Sequence, residues 1–386
     1  MKPGLLLCSL FFVFLCPFLF AAPLNSSSWG FSIDLPEGYE YTGGDGRDAF
    51  TFQNSEGAIV ELGVYYGTAS GPAPFTSPEA MARDFQTRLN NRGDIESFEY
   101  REKKAVLMDL SFVVSGAGSM SGWALGIELK NSPQQTTTNP LLMIMAYGPT
   151  ERSGLDILHL SALDSLIPDE GDRFVPGPIT ELAFPRQRRI EAPVFGLDIN
   201  ALIFPEDAEA AQALVDREYQ VLTRSANAPG WQEAWKRFYR AIYRDSFDRI
   251  VNIAFLVERK LNVPERENRD FADQVLQWVQ SFEYVRNPAG SDFINLVTAV
   301  TEGKGDCDNR ALLWAIVLKQ AGIPAAIMVS QHYSHAMGLA ELPGPGARFE
   351  VEGQRLLVAE TTARVSIGLI GETVSDIEYW LGISFE

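Results

Sequence analysis

Apolar and polar residues alternate along much of the chain between residues 29 and 168. Phe31, Ile33 and Leu35 alternate with polar positions, a pattern typical of a strand with one buried face. Strand-like patterns recur in five further segments: 49–53, 58–66, 105–114, 123–129 and 141–147. This part of the chain is therefore predicted to contribute several strands to one sheet.

Helix signals interrupt these strands twice. Ser77 is a favourable N-cap, Pro78 suits the first turn, and Gly93 marks the end of this helix. A second helix is predicted over residues 154–166. The combination of an antiparallel sheet with packed helices predicts an α+β fold for a first domain, residues 25–168.

Helical patterns precede strand-like patterns in the second half of the chain. The predicted helices cover residues 205–224, 230–242, 246–261 and 265–282, and the predicted strands cover 324–330, 335–342, 349–351 and 354–360. This order predicts a second α+β domain, residues 205–386, with helices followed by an antiparallel sheet. The proline-rich residues between the domains, 169–204, are predicted to be a linker whose apolar side chains suit either domain.

The first 22 residues read as a secretory signal peptide. Lys2 gives a positive start, Leu5 to Phe20 is almost uninterruptedly apolar, and Ala21 and Ala22 offer small residues for cleavage. The chain is therefore predicted to be exported to the periplasm or the extracellular space. An uncleaved signal that acts as a membrane anchor is the alternative. No second segment is long and apolar enough to insert into a membrane.

Composition narrows the classes of partner. The chain has 386 residues, of which 46% are hydrophobic, enough for two packed domains. Its formal net charge of −18 repels phosphate backbones, so we expect no nucleic-acid partner.

Cysteine usage points to a reactive thiol. Cys8 and Cys16 lie in the predicted signal, so the exported chain keeps Cys307 alone. The apolar run 311–318 after Cys307 predicts a buried helix that begins at or beside this residue. A helix N-terminus carries about +0.5 elementary charge, so we expect it to lower the pKa of the Cys307 thiol.

A histidine and an acid follow in the order that a thiol nucleophile requires. His335 begins an apolar strand and Glu360 ends another. His332 lies three residues before His335, and on a continuous strand the two side chains would face opposite sides, so His335 is the better candidate. The acids beside the thiol, Asp306 and Asp308, would oppose its ionisation and are expected to cap the helix.

These motifs together resemble the transglutaminase-like superfamily. The resemblance is carried by Gly305-Asp306-Cys307, the string at 321–325, His335-Ala336, and the strand that ends at Glu360, and it covers roughly residues 231–362. It implies a papain-like core with a Cys, a His and an acid in this order. Met337 stands where the family usually has tryptophan, and Glu360 stands where the acid is commonly aspartate.

The resemblance also assigns roles. It implies that Cys307 is the nucleophile, His335 the general base and acid, and Glu360 the carboxylate that orients the imidazole. Tyr284, upstream of the cysteine, is a candidate side-chain donor to an oxyanion. No cofactor and no metal is expected, although a zinc site made of Cys307, His332 and His335 remains an alternative.

A weaker resemblance concerns the first domain. The string Phe31–Tyr39 resembles the opening of PsbP/Mog1-like sandwiches. It implies a binding or positioning module without an active site, and an unrelated α+β domain is the alternative.

Three functions are compatible with these features. The leading hypothesis is a cysteine peptidase or amidase that acts on a protein or peptide substrate. The second is a transferase that cross-links protein glutamine to lysine amines. The third is a non-catalytic binding or scaffold protein with a degenerate fold, in which Cys307 is an inert buried residue.

Overall fold

The computed structural model describes residues 23–130, 136, 139–226, 228–261, 267–286 and 291–385. The predicted signal peptide, residues 1–22, therefore lies outside the described residues. Among the helices that are described, none is both long and apolar enough to cross a bilayer.

A seven-stranded antiparallel sheet organises the first half of the chain. After a two-strand ladder of β1 (Leu24–Asn25) and β2 (Ser32–Ile33), the sheet contains β3 (Glu40–Gly44), β4 (Ala49–Gln53), β5 (Ile59–Tyr65), β6 (Ile95–Tyr100), β7 (Lys103–Val114), β8 (Gly118–Glu128) and β9 (Leu141–Pro149). Its spatial order is β3-β4-β5-β9-β8-β7-β6. The prediction of an antiparallel sheet is confirmed, and the patterns at β3 and β6 were missed.

Each face of this sheet carries a helix. α1 (Pro78–Leu89) begins at Ser77, whose hydroxyl accepts from the Ala80 N–H at 3.1 Å, as the sequence predicts. It packs on one face through Met81 and Ala82. α2 (Leu155–Asp164) packs on the other face. Successive residues of β9 alternate between the two cores, which is the period of two expected for a sheet covered on both sides.

The predicted linker contains regular structure. It includes α3 (Pro178–Ala183) and a hairpin of β10 (Ile190–Pro193) and β11 (Asn200–Ile203). Ile179 joins the core of the first half, whereas Val194 and Ala201 join the core of the second half. The segment is thus not irregular throughout, and its apolar side chains contact both halves of the molecule.

Six helices build the first layer of the second half. They are α4 (Glu206–Ser225), α5 (Trp231–Arg249), α6 (Val251–Leu261), α7 (Asn268–Gln280), α8 (Leu296–Glu302) and α9 (Cys307–Gln320). The sequence predicted a break between helices near residue 244, and the observed break is at Ile250. α8 was not predicted, because seven residues give too short a periodic pattern.

A five-stranded antiparallel sheet completes the second half. It contains β12 (Ala325–Ser330), β13 (His335–Ala340), β14 (Arg348–Val351), β15 (Gln354–Ala359) and β16 (Leu381–Ile383), in the order β14-β15-β13-β12-β16. α9 is buried against β12 and β13, with Trp314 at 0% exposure. A Cβ on Gly338 would come within 2.5 Å of the Trp314 ring, so this glycine sets how closely α9 approaches β13. The predicted fold class, α+β in both halves, is confirmed.

Candidate active site

The first turn of α9 holds Cys307 in a fixed place. The Asp306 side chain accepts from the Asn309 N–H at 3.0 Å, and the Asn309 side chain accepts from the Asp306 N–H at 3.1 Å. This reciprocal capping box satisfies two otherwise unpaired donors. Cys307 is therefore the first residue of the helix, as predicted, and it is 2% exposed.

Sheet pairing brings His335 and Glu360 together. Gly338 of β13 pairs with Ala359 of β15, so the beginning of one strand lies beside the end of the other. The His335 Nε2 atom lies 2.8 Å from Glu360 Oε2. Glu360 Oε1 accepts from the backbone N–H of Thr362 at 2.7 Å and from its hydroxyl at 2.6 Å. The carboxylate is thus held on both oxygens, and one imidazole nitrogen is committed to it.

Glu360 is an ionised partner for this histidine. Burial opposes ionisation, but the hydrogen bond and the charge of His335, with the bonds from Thr362, outweigh it and lower the pKa of Glu360. Because Nε2 of His335 faces the carboxylate, Nδ1 is the ring nitrogen left for proton exchange.

Cys307 lies beside the residue that follows His335. The Ala336 backbone N–H and the Tyr284 hydroxyl are near enough to its sulfur to lower the pKa of the thiol. Asp308 Oδ1 is 4.0 Å from Cys307 Sγ. Tyr284, which the sequence offers as a candidate oxyanion donor, is thus one of the groups that act on the thiol. The imidazole of His335 is not hydrogen-bonded to this sulfur in the resting protein.

The expected lowering of the Cys307 pKa is wrong. Burial, then the charges of Asp308 and Asp306, raise the pKa of the Cys307 thiol to about 12, and the bonds from Ala336 and Tyr284 only partly offset them. The helix N-terminus contributes about half a positive charge, and the two neighbouring carboxyls together with near-complete burial outweigh it. The resting Cys307 side chain is therefore a neutral thiol.

The two acids beside the cysteine have different roles. Asp306 caps α9 as predicted, and burial together with Asp308 raises its pKa to about 8. Asp308 does not cap the helix. The buried Tyr239 hydroxyl and the His335 ring lie near enough to Asp308 to act on its pKa. Burial raises the pKa of Asp308, and the Tyr239 bond and His335 act in the opposite direction.

Tyr239 and Trp380 are site residues that the sequence did not reveal. Tyr239 comes from α5, far from the cysteine motif, so no local spacing could indicate it. The Trp380 ring lies 6.1 Å from the His335 ring, and Trp380 shares a buried cluster with Met337. An aromatic residue thus packs beside the histidine, but it comes from the end of the chain and not from position 337.

The zinc alternative finds no support in the described part of the chain. His332 lies in the turn before β13 and not on the strand, and its ring stacks on Tyr379 with centroids 4.1 Å apart. Among the described residues, the cysteine shares metal-ligating geometry with Asp306 and Asp308 but with neither histidine.

A family model matches the part of the chain that holds these elements. The match is to the transglutaminase-like superfamily and covers residues 257–350. It contains Cys307 and His335 and ends before Glu360. A search of curated proteins gave no match.

Several solved structures are similar to the chain at low identity. A cyanobacterial PsbP from Synechocystis is 10% identical with a TM-score of 0.28, and the match covers 38% of this chain and 91% of that chain. LpqN, involved in cell envelope biogenesis of Mycobacterium tuberculosis, is 11% identical with a TM-score of 0.25, covering 39% and 87%. A proposed cysteine protease from Cytophaga hutchinsonii is 12% identical with a TM-score of 0.22, covering 90% and 88%.

The PsbP match falls on the N-terminal half of the chain. The chain contains a transglutaminase-like domain at residues 257–350, as its cysteine and histidine motifs predict.

Proposed function

We propose that the protein is an exported cysteine acyl-transfer enzyme, a peptidase or amidase with a protein or peptide substrate. Cys307 is its nucleophile, His335 its general base and acid, and Glu360 the residue that orients the imidazole. The observation that carries the proposal is the 2.8 Å contact between His335 Nε2 and Glu360 Oε2. The residue after His335, Ala336, is among the groups that act on the Cys307 thiol. The export depends on the predicted signal peptide.

The high pKa of Cys307 determines the first step. A preformed thiolate is disfavoured, so the S–H proton passes to His335 Nδ1 while Sγ bonds to the carbonyl carbon of the amide. The carbonyl oxygen becomes an oxyanion. The imidazolium that forms is stabilised by Glu360, whose carboxylate is ionised.

The second step releases the amine. The oxyanion re-forms a carbonyl as the C–N bond breaks, and the imidazolium proton passes to the departing nitrogen. Water then attacks the thioester, gives its proton to His335, and frees the carboxylic acid as Cys307 regains its thiol. Tyr284 is the candidate donor to the oxyanion, because its hydroxyl acts on the sulfur to which the acyl group attaches and lowers the pKa of that thiol.

A non-catalytic function is the second candidate. It is favoured by one observation, namely that Cys307 is almost fully buried and resists ionisation. In a non-catalytic protein with this fold, the Cys307 thiol would react neither with small electrophiles nor with amide substrates.

Screening of a peptide library with three proteins separates these functions. We expect wild-type protein to cleave a subset of peptides, and Cys307→Ala and His335→Ala to cleave none of them. The same peptides with an added primary amine distinguish hydrolysis from transfer, because a cross-linking enzyme would incorporate the amine at glutamine. Full cleavage by Cys307→Ala, or an absence of cleavage and of amine incorporation by wild type, rejects the enzymatic proposal.

A further inference from the structure

A separate cavity lies between the first and second halves of the molecule. Its volume is about 410 Å³, which is within the range of small-molecule sites. The walls come from the chain after residue 22, from α2 and the residues that follow it, from α4 and α5, and from Phe385 near the chain end. None of Cys307, His335 and Glu360 lines it, so it is distinct from the candidate active site.

The cavity has an apolar body. Side chains that line it include Phe31, Ile33, Phe174, Leu214 and Phe385. The Phe385 ring stacks on Tyr243 with centroids 3.9 Å apart and an interplanar angle of 3°. Such walls favour a ligand with a hydrocarbon or aromatic portion.

Most charged groups in the wall are already paired. The ion pairs are Arg217 with Asp164 at 2.5 Å and Glu218 at 2.8 Å, Arg237 with Glu218 at 2.7 Å, Arg240 with Asp34 at 2.9 Å, and Arg173 with Glu170 at 3.1 Å. Asp245 also lines the cavity, but its carboxylate binds Arg249, which does not line it. Each of these carboxylates already has a cationic partner, so none of them is free to pair with a further cation.

Arg244 is the cation without a counter-charge. It donates to the backbone carbonyls of Asp164 at 3.1 Å and Leu166 at 2.7 Å, and it lies 3.4 Å from the Tyr100 hydroxyl. Within the described residues it forms no ion pair, and its Nε is buried without a hydrogen-bond partner. A guanidinium in a part-buried site without an anion is costly, which favours binding of one.

Tyr243 supplies a second unused donor. It is 1% exposed, it lines the cavity, and its hydroxyl is buried without a hydrogen-bond partner in the described structure. Buried hydroxyls in native proteins nearly always have a partner, so an unpaired one in a cavity wall indicates a missing acceptor. A carboxylate accepts from both a guanidinium and a hydroxyl and bears the single negative charge that Arg244 requires.

We infer that this cavity binds an amphipathic monocarboxylate, with its carboxylate on Arg244 and Tyr243 and its apolar part against the aromatic walls. A free fatty or aromatic acid and the C-terminal carboxylate of a short apolar peptide share this chemistry. The inference does not depend on the proposed catalytic activity, because it uses none of the same residues.

Calorimetric titration of the purified protein with matched probes tests this site. Octanoate, octanol and octylamine share one chain and differ in the head group, and N-acetyl-Leu-Phe as acid or amide tests the peptide source. We expect saturable binding of at least one carboxylate, and binding about tenfold or more weaker for its neutral or cationic counterpart. Preference for octanoate indicates a free acid, and preference for the dipeptide acid indicates a peptide C-terminus.

Substitutions in α5 test whether the carboxylate binds at Arg244 and Tyr243. Arg244→Gln should weaken carboxylate binding about tenfold or more, and Lys236→Gln, which removes a charge from the same helix outside the cavity, should leave it unchanged. Tyr243→Phe removes one hydroxyl and serves if Arg244→Gln does not fold. The inference is overturned if no carboxylate binds saturably to wild type, or if the acid and its neutral counterpart bind equally. Undiminished binding in both variants also overturns it.

Discussion

The side chains around Cys307, referred to as the cleft, and the cavity at Arg244 both include buried charged groups, and their charge imbalances have opposite signs. In the cleft, Asp306 and Asp308 flank the thiol and help to raise its pKa to about 12. In the cavity, Arg244 has no acidic partner among the described residues. The first environment resists a negative charge on the protein, and the second one lacks a negative charge.

The difference shows how buried charge limits function. In the proposed mechanism, Cys307 becomes a nucleophile only when His335 accepts the thiol proton during attack, so the proposed activity depends on the histidine and its carboxylate. The cavity requires no proton transfer and is preorganised for an anion that arrives already charged. A reactive group and a binding group thus need opposite electrostatic surroundings.

The largest predicted effect is the loss of amidase activity when Cys307 is replaced, and it tests whether the cleft and the cavity are separate sites. Cys307→Ala should reduce amidase activity at least about 10³-fold, because no other side chain can form the thioester. Hydrolysis of a peptide found in the library screen measures this loss. Carboxylate binding to the cavity should be unchanged in the same variant, and a loss of both properties would contradict the separation of the two sites.

Replacement of Arg237 tests how much the ion pairs in the cavity wall contribute to stability. Arg237 donates to Glu218 at 2.7 Å, to Ser161 at 2.6 Å and to the Asp34 carbonyl at 2.8 Å. Arg237→Ala leaves a buried carboxylate with one partner fewer, so the free energy of unfolding should fall by about 3–5 kcal/mol. Urea titration followed by circular dichroism measures it.

The matched control is the neighbouring lysine of α5. Lys236 pairs with Glu233 on a part-exposed face, and Lys236→Ala should change the free energy of unfolding by less than about 1 kcal/mol. Equal effects of the two substitutions would show that the buried network does not hold the two halves together.

Replacement of Tyr284 is expected to reduce activity less than replacement of Cys307, but the change in kcat or KM identifies the role of its hydroxyl. Tyr284→Phe removes only the hydroxyl that acts on the Cys307 thiol. If this hydroxyl stabilises the oxyanion, kcat should fall about 10²-fold with little change in KM. A change in KM alone would assign Tyr284 to substrate binding.

The smallest predicted effect is that of the Asp308 charge on the pKa of the Cys307 thiol. An adjacent carboxylate raises a thiol pKa, so its removal should lower the pKa. Asp308→Asn should therefore shift the midpoint of the alkylation rate of Cys307 with iodoacetamide downward by about one pH unit. Asp270→Asn is the control, because Asp270 is an exposed acid in the first turn of α7. An unchanged midpoint in Asp308→Asn would assign the high pKa to burial and Asp306.

The sequence predicted the parts of this structure that depend on local pattern. The apolar run after Cys307, the N-cap at Ser77 and the strand-like runs at β4 and β9 each have one dominant local cause, and all were confirmed. The helix break near residue 244 was misplaced because Ile250 ends α5 without a glycine or proline to mark it.

Long-range features were beyond the sequence pattern. Tyr239 and Trp380 reach the cleft from distant elements, and only the folded chain shows that Trp380 packs beside His335. The pKa of Cys307 was predicted with the wrong sign, since the degree of burial and the direction of the Asp308 carboxyl depend on tertiary packing. The cavity likewise exists only between elements that the sequence places far apart.

Acylation of Cys307 by p-nitrophenyl acetate, followed by intact-protein mass spectrometry and peptide mapping, tests the central claim most directly. The account predicts an acetyl group on Cys307 in wild-type protein, with formation and hydrolysis both strongly slowed in His335→Gln and in Glu360→Gln. An adduct that forms at the same rate in His335→Gln, or no adduct on Cys307 at all, would contradict a histidine-assisted thiol nucleophile.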